Sequence, residues 1–384
     1  MRKDKITIGD WRYTLPIVEA VNDVLRSGRL TYGKYSREFE SRFSRMHGCE
    51  YGVLSNSGTS SLQVAIQALK EIHGWNDGDE VIIPAVTFVA TANAVSHNNL
   101  VPVPVDVDEY TYNIDVGLVY KAITNKTKLI LPVHLFGQPA NMAAINEIAN
   151  IYNLKVIEDS CEAVLATHHG QTVGSMSDIG VFSFYMSHIL TAGVGGMATT
   201  NNPLYAKKMR QLINHGWDRR ERPIDSPAFD VEEIRSRYYF SSVGHSYRST
   251  EINAAIGVSQ LIELPDAISE RNYNALCLTR MLSGTPEIRT PTIMQENTHS
   301  FMMYPIVVLD EDKWGLVEHL ERNGIETREM LPLVGQPIYP QWKEDDYPVA
   351  ARINKSGLYV GCHQYLDEYD MEKIATSIKE YFGG

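Results

Sequence analysis

The sequence predicts an α/β fold with a mainly parallel, mixed sheet, followed by a smaller α+β unit. Over the first two thirds of the chain, short apolar runs alternate with helical patterns. Such alternation is typical of helices packed on a parallel sheet. The chain has 384 residues, which is too long for one small core. We therefore expect a large domain over residues 1–264, N-terminal helices included, and a small domain over residues 265–384.

The first predicted strand is Tyr51–Leu54, and the helix after it begins at Thr59. In that helix the apolar positions recur at helical spacing and fall on one face; they are Leu62, Ala65, Ile66 and Leu69. Further apolar runs have the length and composition of buried strands, and these are Val81–Ile83, Val101–Val105, Leu129–Val133, Lys155–Ile157, Val181–Phe184 and Met197–Thr200.

A long helical pattern from Ser249 to Leu264 is expected to leave the large domain. After it, Ser300–Leu309 alternates like a strand, Lys313–Asn323 has the spacing of a helix, and Tyr369–Phe382 predicts a closing helix. This mixture predicts the small α+β domain. The charged, proline-containing segment Arg219–Arg237 is interpreted as a mobile loop near the functional site.

The overall charge argues against nucleic-acid and membrane-surface binding. The formal net charge is -12, from 35 basic and 47 acidic residues, so anionic partners are repelled. The N-terminus has no apolar run behind its charges, and the most apolar stretch, Val81–Val95, contains Pro84 and is too short for a bilayer. We expect a cytoplasmic protein.

The cysteines predict neither a metal centre nor a disulfide framework. Cys49, Cys161, Cys277 and Cys362 are far apart, with no C-x-x-C pair and no histidine at ligand spacing. Reduced thiols are the expectation, and no metal site is predicted.

Three segments carry candidate chemistry. Asn56–Ser60 lies between a predicted strand and helix, where free N–H groups can bind a phosphate, although an ordinary helix cap fits the same pattern. Asp159 ends a predicted buried strand, where a carboxylate is costly without a cationic partner; a simple cap is the alternative. Ser183 is followed five residues later by His188, and then by Gly195-Gly196.

Together these segments resemble the DegT/DnrJ/EryC1/StrS sugar aminotransferase family, from about Thr14 to Phe382. The resemblance implies the aspartate aminotransferase-like fold (fold type I) and pyridoxal 5′-phosphate or pyridoxamine 5′-phosphate as cofactor. That family holds the cofactor as a Schiff base on a lysine five residues after the serine. Here the position is His188, which has no primary amine but moves protons near neutral pH. This exception resembles the pyridoxamine-phosphate-dependent sugar 3-dehydratases.

The resemblance also assigns cofactor contacts. Gly58 and Thr59, helped by Ser183, would grip the phosphate. Phe88 would stack on the pyridine ring, and Asp159 would keep the ring nitrogen protonated so that the ring can absorb electrons.

Further contacts are implied at two positions where this sequence differs from the usual family pattern and at one segment that matches the dehydratases. Glu162 stands where the aminotransferases usually have glutamine, as in the GDP-linked dehydratases. The turn Gly244–Arg248 would reach the cofactor of the neighbouring subunit in a homodimer, with Ser246 replacing an asparagine. The segment Gly357–Gln364 matches a C-terminal motif of the dehydratases. Substrate contact is expected from His215, Arg219, Arg248 and Glu329.

Three hypotheses for function follow. The first is a 3-dehydratase of a nucleotide-linked 4-keto-6-deoxy sugar, with His188 as acid and base and an amino acid such as glutamate as amine donor. The second is a nucleotide-sugar aminotransferase with a non-covalent cofactor. The third is a catalytically inactive relative with a binding role, in which His188 marks decay.

Overall fold

The computed structural model describes residues 5–218, 238–309 and 312–383. Its helices are α1 (Leu15–Ser27), α2 (Lys34–Met46), α3 (Gly58–His73), α4 (Ala90–Ser96), α5 (Val116–Ala122), α6 (Met142–Tyr152), α7 (Pro203–Leu212), α8 (Glu251–Gln260), α9 (Leu264–Met281), α10 (Trp314–Arg322), α11 (Pro348–Ser356) and α12 (Glu368–Tyr381). Its strands are β1 (Tyr51–Ser55), β2 (Glu80–Pro84), β3 (Val101–Val105), β4 (Thr127–Ile130), β5 (Lys155–Asp159), β6 (Thr167–His168), β7 (Gln171–Thr172), β8 (Ile179–Ser183), β9 (Gly196–Thr200), β10 (Ile288–Arg289), β11 (Tyr304–Val308), β12 (Thr327–Glu329) and β13 (Gly357–Val360).

A seven-stranded sheet forms the centre of the first two thirds of the chain. Its order is β1-β9-β8-β5-β4-β2-β3. The pairs from β3 to β8 are all parallel, whereas β9 is antiparallel to both of its neighbours. Every residue of β8 and β9 is buried, as expected for strands covered on both faces. The predicted α/β architecture with a mainly parallel, mixed sheet is confirmed.

A four-stranded antiparallel sheet of order β10-β11-β13-β12 follows. It shares a second apolar core with helices α9, α10 and α12, to which Leu278, Leu316, Ile306 and Ile374 belong. The predicted strand Ser300–Leu309 is shorter in the structure, where β11 begins only at Tyr304, because Phe301 has a left-handed backbone (φ 42°) that a strand cannot contain.

Two connections join these units. The predicted helix Ser249–Leu264 is two helices, because the chain leaves helical order after Gln260 and Pro265 then occupies the first turn of α9, a position that suits proline. At the other end of the sequence, the N-terminal segment pairs with the small sheet region, where Ile6 bridges Ile325 in parallel. The N-terminal segment therefore lies against the C-terminal third of the chain.

The parallel strands end at a common edge, and polar residues stand there. Asp159 is the last residue of β5 and Ser183 the last of β8. Because the carboxyl ends of parallel strands form one crevice, this edge positions the site described below. No helix among the described residues has the length and hydropathy of a membrane span.

Candidate active site

One cavity of about 720 Å³ lies at the carboxyl edge of the large sheet and against the small sheet. Its wall is contributed by the N-terminal segment, the start of α3, the loop before α4, the ends of β5 and β8, and the region around β12 and β13. The polar and aromatic lining residues include Ser57, Gly58, Thr59, Phe88, Thr91, Asp159, Cys161, Glu162, Ser183, Tyr185, His188, Glu326, Arg328 and Tyr359.

An anion cradle is built at the start of α3. Ser57 caps the helix by accepting the N–H of Ser60 at 3.0 Å, which leaves the N–H groups of Gly58 and Thr59 without intrahelical acceptors. A Cβ on Gly58 would lie 2.8 Å from the Cβ of Ser183 and 3.1 Å from Sγ of Cys161. Only glycine lets the first turn of α3 approach the end of β8 this closely.

A second glycine, Gly196 of β9, packs against the backbone of the cradle. Gly196 pairs with Ser55 at the end of β1, and a Cβ at position 196 would lie 2.2 Å from the carbonyl oxygen of Ser57. Glycine is therefore required at position 196 by the close approach of β9 to the backbone of the cradle.

Asp159 is a buried carboxylate held by neutral donors. Its Oδ2 accepts the hydroxyl of Thr91 at 3.1 Å and its Oδ1 accepts the N–H of Cys161 at 3.2 Å. Thr91 in turn contacts the hydroxyl of Thr87 at 2.9 Å. Burial raises the pKa of Asp159, and no ion pair reaches it from the described parts of the chain. Asp159 lines the cavity, and a cationic group bound in the cavity beside this carboxylate would compensate the cost of burying its charge.

Glu162 lies on the same wall as Asp159. Its Oε2 accepts the backbone N–H of Phe136 at 2.7 Å, and Phe136 has a left-handed backbone (φ 58°). Burial raises the pKa of Glu162 to about 8, and the nearby charge of Asp159 adds to this rise. The side chain is therefore poised to hold or release a proton near neutral pH.

His188 also lines the cavity, close to the start of the small unit. Its Nδ1 lies 3.1 Å from Sδ of Met302, and its backbone N–H donates to the carbonyl of Tyr185 at 2.9 Å. Burial lowers the pKa of His188 to about 4, with a further contribution from the charge of Arg271. The imidazole is therefore neutral at pH 7 and can accept a proton.

Arg328, Glu326 and Tyr359 line the cavity; they lie in segments that the family resemblance pointed to, Gly324–Glu329 and Gly357–Gln364, although none of them was expected individually as a site residue. They reach it from β12, its preceding residues and β13, and Glu326 accepts the N–H of Ile8 at 3.3 Å. Glu329, which was expected to contact substrate, is not in the lining, because its carboxylate pairs with Lys313 at 2.8 Å. Alternation along β12 could have indicated that Arg328 and Glu329 point to opposite faces.

Three other expected contacts form their own cluster outside this lining. Arg248 donates to Ser246 Oγ at 3.1 Å and to Asn214 Oδ1 at 2.7 Å, and its Nη2 lies 3.2 Å from His215 Nε2. His215, Ser246 and Arg248 are thus brought together on the protein surface. Arg219 and the rest of the predicted loop Arg219–Arg237 lie outside the described residues.

Phe88, the expected stacking residue, lines the cavity. Its side chain is exposed there, with 60% of its surface accessible.

The residues present fit a pyridoxal 5′-phosphate group. The free N–H groups of Gly58 and Thr59, with Ser183 beside them, suit its phosphate, and the buried Asp159 suits its ring nitrogen. Phe88 offers an aromatic face at the cavity wall.

Comparison with known proteins identifies the family of this chain. The DegT/DnrJ/EryC1/StrS aminotransferase family matches residues 14–379. A GDP-perosamine synthase of Caulobacter vibrioides is 34% identical over 353 residues, which are 91% of this chain and 90% of that protein.

Two solved structures are similar throughout. The Escherichia coli GDP-4-keto-6-deoxy-D-mannose-3-dehydratase with bound hydrated PLP has a TM-score of 0.90 at 26% identity, covering 97% of this chain and 99% of its own. The structure of S. venezuelae DesV in complex with a ketimine intermediate has a TM-score of 0.87 at 30% identity, covering 95% of this chain and 94% of its own. The predicted fold type I architecture is confirmed.

Proposed function

Within the DegT/DnrJ/EryC1/StrS aminotransferase family, to which this chain belongs, we propose that it is a nucleotide-sugar 3-dehydratase. Its cofactor is pyridoxal 5′-phosphate, which an amino acid such as glutamate would convert to the pyridoxamine form. The substrate would be a nucleotide-linked 4-keto-6-deoxy sugar, from which the C3 hydroxyl is removed. Such a reaction belongs to deoxysugar and lipopolysaccharide biosynthesis.

The observation that carries this proposal is that a histidine, and no lysine, is found among the described residues that line the cavity. This histidine is His188. A lysine amine would recapture the cofactor after each half-reaction and so favour amino transfer. A chain that offers an imidazole instead can move protons but cannot make that covalent link.

Each protein residue then has a separate task. The bound cofactor supplies an amine for the C4 ketone and a ring that absorbs electrons. The amides of Gly58 and Thr59 bind its phosphate, and Asp159 holds a proton at the ring nitrogen. The neutral imidazole of His188 accepts a proton and then donates one to the departing C3 hydroxyl, so that water leaves.

On the substrate side, we assign to Arg328 the sugar-nucleotide contact that the sequence suggested for Glu329. Arg328 lines the cavity, where it also pairs with Glu326, whereas Glu329 is not in the lining and pairs with Lys313. A guanidinium suits a diphosphate because it can donate two parallel hydrogen bonds to phosphate oxygens.

We further propose that the protein is a homodimer. The cluster of His215, Ser246 and Arg248 does not line the cavity of its own chain, so these residues would contact cofactor or substrate in the partner subunit.

Amino transfer with a non-covalent cofactor is the second candidate, and the 34% identical GDP-perosamine synthase favours it. An inactive relative is less well supported, since Gly58, Asp159 and Ser183 are all present at the cavity.

One experiment separates the three. The protein is incubated with pyridoxal phosphate, glutamate and a panel of nucleotide-linked 4-keto-6-deoxy sugars, and product mass is followed. We expect a deoxygenated keto sugar, after loss of the C3 oxygen. A product that keeps this oxygen and gains nitrogen would establish amino transfer, and an unchanged panel would favour the inactive relative.

A further inference from the structure

The only side-chain contact at hydrogen-bonding distance that His188 makes with the described residues is to a sulfur atom. Nδ1 lies 3.1 Å from Sδ of Met302. A thioether has lone pairs but no hydrogen, so it can accept a hydrogen bond and cannot donate one. As a hydrogen bond, this contact needs the hydrogen on Nδ1. In a neutral imidazole the other nitrogen, Nε2, then carries the lone pair.

Met302 is held in place by its backbone rather than by packing alone. Its N–H donates to the carbonyl of Phe136 at 3.1 Å, and its carbonyl accepts Nη1 of Arg271 at 2.9 Å. The same Nη1 also donates to the carbonyl of Phe301 at 3.1 Å. Phe301 has a φ of 42°, a conformation that costs free energy unless the surroundings enforce it. Arg271 thus fixes the strained turn that presents Met302.

Arg271 is itself anchored and buried. Its Nε donates to Oε1 of Gln364 at 2.8 Å, and only 2% of its surface is accessible. No carboxylate forms an ion pair with it in the described ranges. Its uncompensated charge disfavours a second proton on His188, and with burial it lowers the pKa of that imidazole.

This arrangement differs from the usual one, in which a carboxylate orients a catalytic histidine. A carboxylate accepts the Nδ1 hydrogen but also stabilises the imidazolium form. A thioether accepts the hydrogen without adding charge. The histidine is oriented and still remains neutral.

We propose that Met302 is a positioning residue that fixes His188 in the Nδ1–H tautomer, leaving Nε2 as the nitrogen that takes the substrate-side proton, and that Arg271 holds Met302 for this purpose. The part of the proposal that concerns proton transfer rests on the proposed dehydratase function. The tautomer itself does not.

Other charged and titratable groups also face the cavity and contribute to its electrostatics. They come from β12 and the residue before it, from β5 and its following turn, from the segment after β8 and from β13, and they are Asp159, Cys161, Glu162, Tyr185, Glu326, Arg328 and Tyr359. A comparison of variants at position 302 keeps all of them constant.

The test reads the tautomer directly. Full-length protein loaded with pyridoxal phosphate is labelled with [15N]histidine, and the ring nitrogens are observed by solid-state NMR. The His188 signals, among those of 12 histidines, are assigned by their loss in His188→Asn. We expect a protonated Nδ1 and an unprotonated Nε2.

Met302→Leu removes the acceptor while conserving volume, a change that cores tolerate. We expect the hydrogen of His188 to shift towards Nε2 in this variant and kcat to fall roughly fivefold at unchanged KM, the effect of one lost hydrogen bond. Met303→Leu, at the next residue, is the matched control and should retain the Nδ1–H signal. Arg271→Lys should shift the tautomer as Met302→Leu does.

Each outcome has a distinct meaning. An Nε2–H signal in the unmodified protein, or an unchanged signal in Met302→Leu, would overturn the proposal even if dehydration is observed. Conversely, the expected tautomer together with a transaminase product would leave Met302 in its positioning role and reject only the proposed function.

Discussion

The side chain at position 188 is central to the proposed chemistry, because a lysine amine can form a Schiff base with the cofactor aldehyde, whereas the imidazole of His188 can transfer protons but cannot form that link. We expect His188→Asn to lose turnover by about a hundredfold to ten-thousandfold, the usual contribution of a general base. The melting temperature should stay close to that of the unmodified protein, since asparagine is polar and smaller.

Rate and melting temperature are therefore measured together for this variant. A protein that is destabilised and yet fully active would show that His188 only packs against Met302 and its neighbours.

Asp159 provides a second residue-scale prediction. Asp159→Asn keeps the shape and the acceptor for Thr91 but removes the charge opposite the ring nitrogen. We expect a loss in rate of about a hundredfold or more, about 3 kcal/mol of activation free energy. Thr91→Val, which removes only one neutral donor to Asp159, is the control and should cost much less. Near-normal rates in Asp159→Asn with intact cofactor binding would contradict the assignment.

Glu162 makes the stability of the apo-protein depend on pH. Its pKa is raised to about 8 from an ordinary value of 4.5, chiefly by burial. The folded state therefore keeps a proton that the unfolded state releases, so the stabilising effect is complete below about pH 4.5 and is lost as the pH rises towards 8.

Glu162→Gln retains an acceptor for the Phe136 N–H and has no titratable group. We expect the melting temperature of the unmodified apo-protein to fall relative to that of Glu162→Gln between pH 5 and 8, by calorimetry. Parallel curves for the two proteins would mean that Glu162 is ionised in the folded state throughout.

At the scale of elements, the anion cradle depends on how closely α3 approaches β8. In Gly58→Ala the new Cβ would meet Ser183 at 2.8 Å, so the first turn must move. We expect a cost of about 1 to 3 kcal/mol in the free energy of unfolding, as in other overpacked sites, and weaker binding of pyridoxal phosphate.

Cofactor titration by fluorescence and chemical denaturation check this. Gly117→Ala is the control, because Gly117 lies in α5 and its nearest atom to a new Cβ is Oδ1 of Asp115 at 3.2 Å. Equal cofactor affinity in both variants would contradict the need for a close approach at Gly58.

The strands of the large sheet could be predicted because their apolar runs are bounded by turn residues and buried on both faces. Asp159 and Ser183 were named through the family resemblance, and both stand at strand ends that line the cavity. The antiparallel placement of β9 between β1 and β8 could not be predicted, since no local pattern specifies which strands become neighbours.

Arg328 and Met302 were missed for a different physical reason. Arg328 enters the cavity because β12 pairs with β13, and Met302 does so because Arg271 holds a left-handed turn. Both positions depend on contacts between distant segments. Alternation along β12 indicates only that Arg328 and Glu329 face opposite sides, and no local pattern indicates the contact that Met302 makes. The split of the pattern Ser249–Leu264 is the opposite case, since Pro265 signals a helix start that could have been recognised.

At the scale of the whole molecule, the surface cluster of His215, Ser246 and Arg248 predicts active sites that contain residues from both subunits of a dimer. We expect sedimentation velocity to show a homodimer. His188→Asn and Arg248→Ala, each with low activity, should regain partial activity when the subunits are mixed and reassociated, because one site then contains both intact residues. A fully active monomer, or no recovery on mixing, would contradict a shared site.

The cavity wall is built from distant parts of the sequence, since both Ile8 and Tyr359 line it. During synthesis the strands of the large sheet can assemble early, yet the pocket stays open until Tyr359 has emerged from the ribosome. A nascent or truncated polypeptide that lacks the last strands would carry the phosphate cradle without a wall to keep water from it.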